Sequence, residues 1–125
     1  MTTEIPKILV VDDESHQLDT VRRGLFLYGY ESEGVESVDE ASALLFGSEG
    51  NTFDLLLTDL TMPGGSGISL IEKIQGELPD LPIVVITGLA ATAEVEWVQK
   101  RGLPLLQKPF EPDDLDKTIR EQLSR

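Results

Sequence analysis

No cysteine occurs among the 125 residues, which rules out a disulfide framework, a thiolate metal site and a cysteine nucleophile. That absence suits a reducing compartment, and a cytoplasmic location is the expectation. Histidine is nearly absent as well. His16 stands alone, so a transition-metal centre would lack its usual ligands. Positive charge is scarce: 10 bases face 23 acids, for a formal net charge of −13. Such a chain repels phosphate backbones and anionic lipid surfaces, so neither nucleic acid nor membrane is expected as a direct partner. No apolar run is long enough to span a bilayer, and the opening MTTEIPK has no signal-peptide core.

What is present is ordinary for a folded domain: 40% hydrophobic and 26% charged residues in a length that suits one core. A single domain over residues 1–125 is the expectation. Three short apolar runs, ILVV (8–11), FDLLLTD (53–59) and PIVVITG (82–88), read as strands covered on both faces, as in a parallel sheet. YESEGV (30–35) is polar enough for a sheet edge, and Pro104 argues for an edge position in LPLLQ (103–107).

Between the runs the period becomes helical. Leu18, Val21, Leu25 and Tyr28 share one face, as do Ile68, Ile71 and Ile74, and Leu115, Ile119 and Leu123. Ser37 with Glu40 fits a capping box ahead of Val38, Ala41, Leu44 and Leu45, and Pro112 with Asp113 and Asp114 suits a first helical turn. Five βα units in succession predict an α/β fold: a doubly wound parallel sheet with five strands and five helices. Ligands of such sheets sit at the carboxyl ends of the strands.

Those ends carry the polar residues. Asp12 and Asp13 follow the first strand, Asp59 and Thr87 close the third and fourth, and Lys108 with Pro109 follows the fifth. Three carboxylates brought together repel unless a cation neutralises them, and magnesium, which takes hard oxygen ligands, suits that need. With a divalent ion present, one carboxylate can attack a phosphoryl group. Asp59 is the candidate nucleophile, because it stands alone at the end of the central strand ahead of LTMPGGSG, whose Pro63, Gly64, Gly65 and Gly67 permit a close bend. Lys108 supplies a compact positive charge and Thr87 a hydroxyl donor for the phosphoryl oxygens.

VVDD, LLLTDLTMPGGSG, VVITG and QKPF, in this order along nearly the whole chain, resemble the receiver domain of bacterial two-component response regulators. The resemblance implies a flavodoxin-like strand order of 2-1-3-4-5 and a switchable signalling domain rather than an enzyme. Asp59 would be the phosphoacceptor, served by a histidine kinase or a histidine phosphotransfer protein. Asp13 and Asp59 would ligate Mg2+ directly, Asp12 through water and Thr61 through its main-chain carbonyl. Thr87 and Lys108 would bind the phosphoryl group and relay its presence to a downstream effector or a linked output domain. The Lys108–Pro109 bond is expected to be cis. Leu105 departs from the family pattern, which often has an aromatic residue three places before the lysine, and Leu89 replaces a commonly polar side chain.

Other polar residues have plainer readings. Asp12 can also cap the first helix, Glu14 and His16 are expected to face solvent, and Glu31, Glu33, Glu36, Asp39 and Glu40 form a solvated acidic stretch. Trp97 is expected to be a half-buried packing residue beside Val95 and Val98. A haloacid-dehalogenase-like hydrolase would need a second acid where Thr61 stands, and a flavin phosphate would be repelled by Asp12, Asp13 and Glu14.

Overall fold

The computed structural model describes residues 5–47, 51–60, 67–88 and 92–124. Strands and helices alternate along it: β1 (Lys7–Val11), α1 (Ser15–Leu27), β2 (Glu31–Val35), α2 (Val38–Phe46), β3 (Leu55–Asp59), α3 (Gly67–Glu77), β4 (Ile83–Thr87), α4 (Ala93–Lys100), β5 (Leu105–Gln107) and α5 (Pro112–Leu123). All strand pairs are parallel, in the order β2-β1-β3-β4-β5, as expected from the sequence.

The continuous apolar runs are explained by two cores. Side chains alternate across a strand, so Leu55 and Leu57 pack on one face of the sheet while Leu56 packs on the other. Ile8, Val10, Val84 and Ile86 join Leu18 and Leu25 of α1 and Leu115 and Ile119 of α5. Leu9, Val11, Ile83 and Val85 join residues of α2, α3 and α4, among them Leu45, Ile71, Ile74 and Val98. Each fully buried aliphatic side chain contributes about 1.5–3 kcal/mol of burial free energy, which is why both faces must be covered for the sheet to hold.

Both proposed edge strands lie at the edges. β2 alternates exposed and half-buried residues, and its Glu31 and Glu33 are exposed, a charge pattern that discourages pairing with another chain. β5 is only three residues long and begins after Pro104, whose carbonyl still accepts a hydrogen bond from Val85 N–H at 2.9 Å.

Helix ends follow local chemistry. Ser37 Oγ accepts from Glu40 N–H at 3.1 Å, so Ser37 caps α2 as expected, while the Glu40 carboxylate returns to the Ser37 hydroxyl rather than to its backbone N–H, half of the expected capping box. Pro112 opens α5, and Glu111 N–H donates to Asp114 at 3.4 Å. α1 stops at Gly29, whose φ of 89° few other residues adopt; Tyr30 N–H then donates back to Leu25 O at 3.0 Å. Tyr28 therefore caps α1, with its ring on the α1 and α5 core and its hydroxyl bonded to Asp113. Tyr30 donates to Asp116 at 2.8 Å, tying the start of β2 to α5.

Candidate functional site

The site is assembled by register. β1 pairs with β3 so that Val11 lies opposite Thr58, which sets Asp12, one residue on, level with Asp59. Asp12 N–H is held by Val35 O at 3.1 Å, and its Oδ1 accepts from Glu14 N–H at 2.9 Å. The carboxylate thus fixes the turn ahead of α1, while Glu14 is the N-cap proper. Asp12 and Asp59 are buried, at 5% and 7% exposure, whereas Asp13, Glu14 and His16 are exposed. One carboxylate oxygen from each of Asp12, Asp13 and Asp59 lies within 4.8 Å of the others, an arrangement able to hold a metal ion.

Lys108 closes the site from β5. Its N–H donates to Thr87 O at 2.8 Å, locking the two strand ends together, and the Lys108–Pro109 bond is cis as expected. Lys108 Nζ donates to Asp59 Oδ2 at 2.8 Å, stands 3.5 Å from Asp12 Oδ2, and donates to Gln17 Oε1. Thr87 is fully buried at the end of β4, with exposed Gly88 directly after it.

The electrostatics are those of an acid-rich pocket short of positive charge. Burial pushes the Asp12 carboxyl above its ordinary range, with Asp59 and Asp13 adding to the rise and Glu14 N–H and Lys108 opposing it. Burial alone would lower the Lys108 ammonium, but its hydrogen bond to Asp59 and the charges of Asp59 and Asp12 leave it raised. Three carboxylates and one ammonium leave two negative charges, the deficit a divalent cation would fill. Hard oxygen donors beside an open mouth fit Mg2+, which keeps part of its water shell.

This geometry has relatives. The model of the response regulator receiver domain matches residues 8–120. The chain belongs to the response regulator receiver family. It is 32% identical over 120 residues to the transcriptional regulatory protein FixJ of Bradyrhizobium diazoefficiens, covering 95% of this chain and 57% of FixJ. It is 31% identical to the transcriptional regulatory protein PrrA of Mycobacterium tuberculosis, covering 96% and 51%. The receiver thus spans only about half the length of these two relatives. Among solved structures, the CheY-like receiver of Methanospirillum hungatei has a TM-score of 0.85 at 30% identity, covering 97% of this chain and 95% of that one. A receiver from Clostridium thermocellum has a TM-score of 0.88 at 29% identity, covering 97% and 96%. Receivers of this family are generally signalling rather than catalytic domains.

Asp12, Asp13, Asp59 and Lys108 meet as the sequence suggests, and Thr87 joins them through the backbone bond to Lys108. Thr61, Pro63, Gly64, Gly65 and Leu89 lie outside the described residues. Trp97 is half-buried under the Arg101 guanidinium, 3.9 Å from the ring centroid, and Leu105 is half-buried against the core of α2, α3 and α4. Sequence reasoning missed Gln17 and read Gly67 only as a loop glycine. Gln17 touches Lys108, a contact between α1 and the end of β5 that no local sequence pattern signals. Gly67 lets α3 approach β3: a Cβ there would sit 2.7 Å from Asp59 O.

Proposed function

We propose that this receiver accepts a phosphoryl group on Asp59 from a histidine kinase or a histidine phosphotransfer protein, with Mg2+ as cofactor, in the cytoplasm. The supporting observation is the buried Asp59 carboxylate within 4.8 Å of the Asp12 and Asp13 oxygens and 2.8 Å from the Lys108 ammonium. An Asp59 oxygen bonds to phosphorus while the phosphorus–nitrogen bond of the donor breaks, and the bonding pair returns to the imidazole nitrogen. Asp13 and Asp59 would hold Mg2+ directly, Asp12 through water, and Thr61 through its carbonyl. When bound, Mg2+ supplies charge neutralisation at the phosphoryl oxygens.

Lys108 turns from Asp59 to a phosphoryl oxygen, and Thr87 donates its hydroxyl to another. Because Lys108 N–H is bonded to Thr87 O, a shift at either strand end is felt by the other, giving α4 and β5 a route to two arrangements. With Leu105 on β5, that route runs without an aromatic ring. The output is a protein effector or a domain linked to the receiver unit of residues 1–125, in keeping with the greater length of the transcriptional regulators it resembles. The test is intact mass after incubation with magnesium and acetyl phosphate. One phosphoryl group is expected on wild type and none on Asp59→Asn; equal uptake by both sinks the reading.

A further inference from the structure

We propose that Gln17 is a positioning residue for Lys108, holding the ammonium at the mouth of the site while it exchanges carboxylate for phosphoryl partners. The inference rests on the phosphoacceptor reading above. Gln17 lies in the first turns of α1, where a polar side chain would ordinarily face solvent. Instead it is half-buried, and Oε1 accepts a hydrogen bond from Lys108 Nζ, 91 residues away in sequence.

A lysine ammonium has three donors, and here three oxygens surround it: Asp59 Oδ2, Asp12 Oδ2 and Gln17 Oε1. The first two belong to the acid cluster. Once those oxygens are committed to a cation and a phosphoryl group, two of the three lysine partners are lost. The amide oxygen is neutral and lies outside the acid cluster, so it stays with Lys108. It also adds no negative charge that would compete with the incoming phosphoryl oxygens for the ammonium. Gln17 thereby narrows the arc through which Nζ swings, which favours the geometry that meets developing charge. The residue sits at the rim, lining the groove between α1 and the start of α5 with Thr20, Val21, Pro109 and Phe110.

Gln17→Met keeps the length of the side chain and removes the acceptor. The initial rate of phosphorylation by acetyl phosphate is expected to fall about three- to tenfold, the scale of one typical net hydrogen bond. Magnesium affinity should stay at the wild-type value, which a general loosening of the site would not allow. In a Lys108→Met background, Gln17→Met should cause no further loss, because its effect passes through the lysine. A wild-type rate in Gln17→Met, or the same fold loss with Lys108 already removed, overturns the proposal. A wild type that takes up no phosphoryl group and binds no beryllofluoride overturns the phosphoacceptor reading itself.

Discussion

Leu57 and Asp59 are two residues apart on β3 and almost equally hidden, at 0% and 7% exposure, yet they stand in opposite environments. Leu57 packs in the core with α1 and α5, and its burial stabilises the fold. Asp59 is buried beside two other acids and one lysine, an arrangement that lowers stability unless a cation completes it. Among the described residues the buried polar side chains are Asp12, Thr58, Asp59 and Thr87, all at the carboxyl ends of β1, β3 and β4. The body of each strand serves the fold, and its mouth keeps unfavourable chemistry in place for a ligand.

Three substitutions would break or sharpen that contrast. The largest loss is expected from Leu57→Ala, which empties part of the core and should reduce stability by about 3 kcal/mol in urea unfolding, with or without magnesium. A loss below about 1 kcal/mol would mean that the strand body is not packed as described. Gly67→Ala should follow, because its Cβ would press on Asp59 O at 2.7 Å and Leu60 Cα at 3.3 Å, both backbone atoms. A loss of about 1–3 kcal/mol, with weaker magnesium binding in the same titration, is the expected outcome. Unchanged values for both would remove Gly67 from the support of the site.

The smallest effect has the opposite sign. The Asp12 carboxyl is raised above its ordinary value of 3.8 in the fold, chiefly by burial, so its contribution favours the native state at pH below that value. The contribution disappears as pH rises through the raised value. Asp12→Asn should therefore unfold at a higher temperature than wild type in EDTA at neutral pH, with the difference vanishing towards pH 3. Magnesium should erase or reverse the gain. A variant less stable than wild type in EDTA at neutral pH would show that the acid cluster is not a liability without its cation.

Much of this contrast was legible in the sequence, because covered parallel strands leave uninterrupted apolar runs and the acids sit where those runs stop. β3 and β4 were clear for that reason, each five residues long and wholly buried. β5 was marked mainly by Pro104 and the residues that follow it, since only Leu105–Gln107 form the strand. Gln17 was not legible because its role depends on the swing of a side chain from β5 to α1, a contact no local pattern encodes. Gly67 reads as one of several loop glycines until the backbone distance to Asp59 is known. Tyr28 and Tyr30 look like ordinary apolar-face residues, yet their hydroxyls bind acids of α5.

The central claim is that Asp59, rather than Asp12, Asp13 or any other acid, carries the phosphoryl group. Its most direct test is reduction of the phosphorylated receiver with borohydride, which converts an aspartyl phosphate to homoserine, followed by peptide mass mapping. Homoserine at position 59, dependent on magnesium and phosphodonor, is the result predicted. Homoserine at another acid, with position 59 intact, would contradict the account.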